Sequence, residues 1–244
     1  MAGKPEADMG DRTIGVLETG PVLEPLLTRY GNYPAMFEKL LKGRGFTFRT
    51  YAVMEGEFPE AIDVCDGWII TGSRYGAYED HDWIPFLEAF IRGVQALKVP
   101  LVGICFGHQI MAQALGGKVV KHPDGWVLGR IEYDLDGFER PVTVMGLHQD
   151  QVIEAPASAR VVGRADGCEI AALDYGPHAW SLQPHPEFTV DFFLDLMEQR
   201  KALFPEDLVA EAAKTVRGDY DTSLMADRIE AVLKSRNPRE VAAE

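Results

Sequence analysis

Leu101-Val102-Gly103-Ile104-Cys105-Phe106-Gly107-His108-Gln109 is the stretch from which the fold of the chain can be read. Leu101 to Ile104 is short and apolar, as expected of a strand buried on both faces. Ile110, Met111, Ala114 and Leu115 then recur at helical spacing. Cys105 therefore stands at a strand-to-helix turn between two glycines, the arrangement of a nucleophile elbow. Glycine tolerates the tight backbone and lets a substrate approach. The N-terminus of the next helix supplies free N–H groups and a positive dipole end, which favour a thiolate and later an oxyanion. An isolated cysteine is more often a buried core residue. The flanking glycines, and two partners further along the chain, reverse that balance.

Working outward, Thr13 to Leu17 reads as a buried first strand, ended by Glu18-Thr19-Gly20-Pro21. A helix follows over Pro34 to Leu41, and a second strand over Phe46 to Val53. Trp68-Ile69-Ile70 is a third strand, and Thr71-Gly72-Ser73 is a turn at the end where α/β sheets place ligand-contacting backbone. Tyr75 to Asp82 reads as a surface loop. Trp83, Phe86, Leu87, Phe90, Ile91, Val94 and Leu97 form a helical stripe expected to face the core. The alternation predicts an α/β fold with a mostly parallel central sheet and helices on both faces. Beyond Gly116-Gly117, the runs 118–120, 127–135, 142–147, 160–163, 168–173 and 179–182 are expected to be antiparallel strand additions to the same domain. From Val190 onward the pattern is helical. The chain thus divides into a polar start (1–12), a main domain (13–204) and a C-terminal helical extension (205–244), with Asn237 to Glu244 expected to fray.

Composition narrows the function. The 244 residues are enough for a sizeable core, and 46% hydrophobic with 25% charged residues is ordinary for a soluble globular protein. A net charge of −14 argues against nucleic acid and anionic membrane as partners, since both need a basic face. Three cysteines without CxxC spacing suggest neither a disulfide framework nor a zinc site, and point to a reducing, cytoplasmic setting. The start is not a signal peptide, and no window is apolar enough to span a membrane. Phosphate-loop and dinucleotide fingerprints are missing, no metal-ligand set has convincing spacing, and no cofactor is called for.

A cysteine nucleophile needs a base, and the base needs an orienting group. Gln183-Pro184-His185-Pro186-Glu187 supplies both, in a turn stiffened by its prolines. Cys105 would attack a carbonyl. His185 would pass the proton to the leaving amine, and Glu187 would hold the imidazole in its tautomer. Backbone N–H groups of Phe106 and of the Gly72 turn would bind the oxyanion. His108 follows the elbow too closely and is expected to point inward. His81, His122 and His178 are expected to be solvated.

Gly103-Ile104-Cys105-Phe106-Gly107-His108-Gln109 together with His185-Pro186-Glu187 resembles the class I, triad-type glutamine amidotransferases, in particular stand-alone proteins like the glutaminase part of GMP synthase. The resemblance runs from about Thr13 to Phe188. It implies a flavodoxin-like fold and hydrolysis of a γ-glutamyl amide through a γ-glutamyl thioester. It also implies an oxyanion N–H at Phe106 and substrate contacts at Gln109 and at His148-Gln149-Asp150. Gln149 stands where the family has glycine, and Leu147 where it has serine. The implied small-molecule substrate is glutamine or another γ-glutamyl compound. In the first reading, ammonia released from glutamine passes to a separate synthase subunit, since no ATP-using domain follows Phe188. In the second, the protein is a free-standing hydrolase of γ-glutamyl peptides or amines. In the third, it is a non-catalytic binding or regulatory module.

Overall fold

The computed structural model describes residues 11–235. Nearly all of the polar start and the segment from Asn237 lie outside these residues. The strands are β1 (Arg12–Glu18), β2 (Phe46–Ala52), β3 (Gly67–Ile70), β4 (Leu101–Ile104), β5 (Lys118–Lys121), β6 (Val127–Leu135), β7 (Val142–His148), β8 (Asp150–Glu154), β9 (Arg160–Ala165), β10 (Cys168–Asp174) and β11 (Ala179–Leu182). The helices are α1 (Glu24–Tyr30), α2 (Tyr33–Leu40), α3 (Trp83–Ala96), α4 (Phe106–Ala114), α5 (Val190–Gln199), α6 (Glu206–Thr215) and α7 (Thr222–Leu233).

Nine strands form one sheet in the order β2-β1-β3-β4-β11-β10-β9-β6-β7. The first five pair in parallel, with β4 between β3 and β11. The remaining four extend the sheet antiparallel. Strands β5 and β8 form a separate two-stranded ribbon. Two expectations are corrected here. The run 179–182 is not an antiparallel addition, because it lies parallel to β4 and completes the inner sheet. The stripe on α3 is narrower than its spacing suggests: Leu87, Ile91 and Val94 are buried, whereas Phe86 and Leu97 are 66% and 54% exposed. Phe86 packs sideways on Phe58 at the surface.

Alternation along the short inner strands sends side chains to two cores. Trp68, Ile70 and Leu101 meet α3 and α4 on one face. Ile69, Val102 and Ile104 meet Phe37 and Leu41 on the other face, together with Met225, Ile229 and Val232 of α7. The last helix is thus packed directly under the sheet. Its start is fixed by Asp221, which takes two bonds from Arg140 (2.9 and 2.6 Å) and one from the Thr143 N–H (2.8 Å). Its end is held by Arg12, whose guanidinium donates to the Leu233 carbonyl at 3.0 Å.

Helix α4 sits on β4 almost backbone to backbone. A Cβ on Gly103 would overlap the Gly107 carbonyl oxygen and lie 2.6 Å from the Met111 sulfur. The obstacle is main chain, which cannot swing aside. Gly103→Ala should therefore cost about 1–3 kcal/mol of unfolding free energy by overpacking. This would be read as a lower urea midpoint at unchanged slope; an unchanged midpoint would contradict this seating of the helix.

Candidate active site

β4 ends at Ile104 and α4 begins at Phe106, so Cys105 alone turns the chain. It does so at φ +55°, ψ −103°, and Lys98 is the only other described non-glycine residue with positive φ. Such a conformation costs on the order of 1–3 kcal/mol and persists only where neighbours impose it. The Cys105 N–H donates to the Leu182 carbonyl (2.9 Å), and its carbonyl accepts from the Gln109 N–H (3.0 Å). Phe106 turns its ring inward against Trp83, with centroids 5.6 Å apart. Its N–H stays in the first turn of α4, where intrahelical acceptors are lacking.

Because β11 lies beside β4, the turn that leaves it arrives next to the elbow. The His185 N–H donates to the Met145 carbonyl of β7 (2.8 Å), and the ring stacks on Phe188 at 4.0 Å. Nδ1 bonds Glu187 Oε1 at 2.7 Å, with both side chains buried. That bond puts the Nδ1 proton toward the carboxylate and leaves Nε2 for other chemistry. Burial by itself would lower the His185 pKa. The neighbouring Cys105 and Glu187 outweigh it electrostatically, and hydrogen bonds to both help raise the pKa to about 10.

The third component comes from the ends of β1 and β3, which run parallel with Leu17 opposite Ile70. The buried Thr19 hydroxyl lies 3.0 Å from the Thr71 carbonyl and 3.1 Å from the Gly72 carbonyl. Ser73 Oγ donates back to the Thr19 carbonyl at 2.7 Å. In a trans peptide, C=O and N–H point opposite ways. Carbonyls turned toward Thr19 therefore aim the N–H groups of Gly72 and Ser73 away from it. Gly72 itself packs on the site: a Cβ there would lie 3.0 Å from His185 Cε1 and 3.7 Å from Cys105 Cβ.

A cavity of about 550 Å³ opens over Cys105 and His185. Gln109, His148, Gln149 and Asp150 all line it. Gln109 is anchored, its amide donating to the Asp150 carbonyl (2.8 Å) and to Gln183 Oε1 (3.2 Å). Asp150 accepts from the Tyr78 hydroxyl at 3.1 Å; burial raises its pKa and that bond partly offsets the rise. Burial, with the nearby His185 charge, pushes the pKa of the buried His148 ring down to about 3 against a weak opposing contact with the Asp150 backbone, so the ring is neutral. His108 points inward as expected, between Ser181 (2.7 Å) and the Ile170 carbonyl (3.1 Å). His178 is not solvated: it is buried at the start of β11, where its carbonyl accepts from the Leu101 N–H.

Sequence reading missed Thr19, Phe188 and the far wall of the cavity. The signal for Thr19 was available: Thr19 and Thr71 each follow a buried strand, and adjacent parallel strands bring such positions together. The far wall, made by Trp126, Arg200, Leu203 and Phe204, comes from segments that look like ordinary connections.

The family description "Glutamine amidotransferase class-I" matches residues 50–196. The chain is 31% identical over 216 residues to gamma-glutamyl peptidase 2 of Arabidopsis thaliana, covering 83% of this chain and 87% of that protein. It is 28% identical over 186 residues to a glutamine-hydrolyzing GMP synthase subunit from Archaeoglobus fulgidus, covering 71% of this chain and 96% of that one. Its fold matches the crystal structure of a glutamine amido transferase from Methylobacillus flagellatus with a TM-score of 0.74, at 20% identity, over 92% of this chain and 93% of the other. With the matched segment running from β3 through the elbow to the His185 turn, the chain belongs to the class-I glutamine amidotransferases, a family of amidotransferase and hydrolytic enzymes.

Proposed function

We propose that the protein hydrolyses γ-glutamyl amides with Cys105 as nucleophile, His185 as acid and base, and Glu187 as the orienting carboxylate. The Cys105 thiolate adds to the γ-carbonyl, and the oxyanion accepts hydrogen bonds from the Phe106 and Gly72 N–H groups. The imidazolium gives its Nε2 proton to the leaving nitrogen as the C–N bond breaks, which leaves a γ-glutamyl thioester. Water then adds to the thioester and gives its proton to Nε2, and the thiolate leaves with release of the γ-carboxylate. Gln109, His148, Gln149 and Asp150 hold the glutamyl head group.

The observation that carries the substrate class is the cavity. It does not end at the polar pocket around Asp150 but continues past His185 to Trp126, Leu203 and Phe204. A volume of this size suits ligands larger than a free amino acid. This favours γ-glutamyl peptides or amines over glutamine alone, and the likeness to a gamma-glutamyl peptidase supports the same reading. A second reading, a glutaminase that feeds ammonia to a separate synthase, draws support from the likeness to nearly the whole of a glutamine-hydrolyzing GMP synthase subunit. Purified protein assayed alone separates the two. Turnover of γ-glutamyl dipeptides without a partner is expected; turnover of glutamine only, and only after a synthase partner is added, would overturn the first reading.

Cys105→Ala should lower kcat/KM by roughly 10³–10⁶-fold while the protein stays folded by circular dichroism. The raised His185 pKa gives a sign to the pH dependence. The imidazolium persists through neutrality and is lost as pH rises toward about 10, so the alkaline limb of kcat/KM should fall there and not near 6.5. In Cys105→Ala one of the charges that hold the proton is gone, and the His185 imidazole followed by NMR should titrate at lower pH. Thr19→Val should reduce kcat by roughly 10–10³-fold, as expected for a misaimed oxyanion donor. KM should change little, and Thr19→Ser should restore the rate. An equal loss in both variants would assign Thr19 a packing role instead.

A further inference from the structure

The cavity has two chemically different halves. Around Ser73, Tyr78, Gln109 and Asp150 it is polar, and it can satisfy the ammonium and carboxylate of a glutamyl head group. Toward Leu23, Tyr33, Trp126, Leu203 and Phe204 it is apolar and aromatic. The leaving nitrogen must take its proton from His185. The His185 ring stacks on Phe188, which in turn lies 6.1 Å from the Tyr33 ring. The leaving group therefore lies toward the apolar half.

Three cations line the cavity, and they are not equivalent. Arg74 is engaged with its neighbour, stacking over the Tyr75 ring at 4.9 Å and donating to its hydroxyl at 2.8 Å. Lys121 lies in the field of Glu79 and Asp150. Arg200 closes the C-terminal end of α5 on the apolar side and has no carboxylate within ion-pair distance among the described residues. Its charge is felt by the buried Tyr33, whose hydroxyl pKa burial pushes up to about 12 and Arg200 draws back. Beside it, Leu203 is 61% exposed at the rim, and Phe204 packs edge-on against Trp126 with centroids 4.8 Å apart. An unpaired guanidinium next to an uncovered apolar wall, in a protein of net charge −14, fits an apolar group that carries a carboxylate. Residues 199–204 lie beyond the segment that matches the family description.

We propose that Arg200 and the 199–204 segment form a leaving-group subsite for amino acids with an apolar side chain, with Arg200 pairing to their free carboxylate. This rests on the γ-glutamyl peptide reading above and narrows it to γ-glutamyl dipeptides with an aromatic or large aliphatic second residue.

The test compares γ-glutamyl-phenylalanine with γ-glutamyl-phenethylamine, which lacks only the carboxylate, and with γ-glutamyl-glycine, which lacks only the side chain. Wild type should prefer the phenylalanine compound over each by roughly tenfold to a hundredfold in kcat/KM, the range of a charged hydrogen bond or a buried ring. Arg200→Gln should bring the first ratio close to one and leave the second largely in place. Leu203→Ser should shrink the second and spare the first. Both side chains are at least partly exposed, so the fold should survive. Equal turnover of the phenylalanine and phenethylamine compounds in wild type, or a ratio unmoved by Arg200→Gln, would overturn the subsite. Calorimetry on Cys105→Ala keeps the two proposals apart. Arg200-dependent binding of γ-glutamyl-phenylalanine without turnover in wild type would uphold the subsite and sink the hydrolase reading. Turnover of all three compounds at one rate would do the reverse.

Discussion

The site depends on the left-handed backbone at Cys105. No residue other than glycine takes that conformation willingly, and here it is imposed by β4 and α4, which meet without a connecting loop. Gly103 and Gly107 let the helix seat directly on the sheet, and the Leu182 carbonyl captures the Cys105 N–H. The strain cost is small beside the burial of Ile70, Leu101, Ile110 and Met111 in the same core. What the strain yields is placement: a sulfur at the mouth of a helix, facing the neighbouring strand.

Parallel strand order does the rest. Because β3 and β11 flank β4, their C-terminal ends deliver Gly72 and His185 to the two sides of one cysteine. Each arrives with its own brace, Thr19 behind Gly72 and Glu187 with Phe188 around His185. The proposed chemistry needs no large motion within the protein, since the donor, the base and the orienting carboxylate are aimed before any substrate is present. The polar and apolar halves of the cavity then follow from which element forms each wall.

Much of this was legible in the sequence, and the limits have physical causes. The inner strands, the elbow and the His185 turn were readable because continuous apolar runs, glycines around Cys105 and prolines around His185 are local signals. Helix α1 escaped notice because it has seven residues and buries only Leu26. β8 begins with Asp150 and Gln151, whose polarity hides a strand that pairs only with β5. The direction of β11 could not come from periodicity, which is the same for parallel and antiparallel strands. Phe86 and Leu97 look like core residues because helical spacing gives the face of a side chain but not the width of what covers it. The Thr19 brace joins residues 52 apart, and the far cavity wall is assembled from two distant segments; contacts of that kind exist only once the fold does.

The bond from the His185 N–H to Met145 has a consequence for how the enzyme would lose function under stress. Cys105 follows β4, an inner strand of the nine, whereas His185 is moored to β7, one of the two edge strands. Proteins open locally in cooperative units smaller than the whole fold. β7 pairs within the main sheet only with β6, and Asp221 ties it to the start of α7. Fraying of that edge would carry the imidazole away while the thiol stayed on an intact elbow. Cys105 and His185 thus hang on different parts of the sheet, and the alignment of thiol and imidazole depends on both parts staying paired.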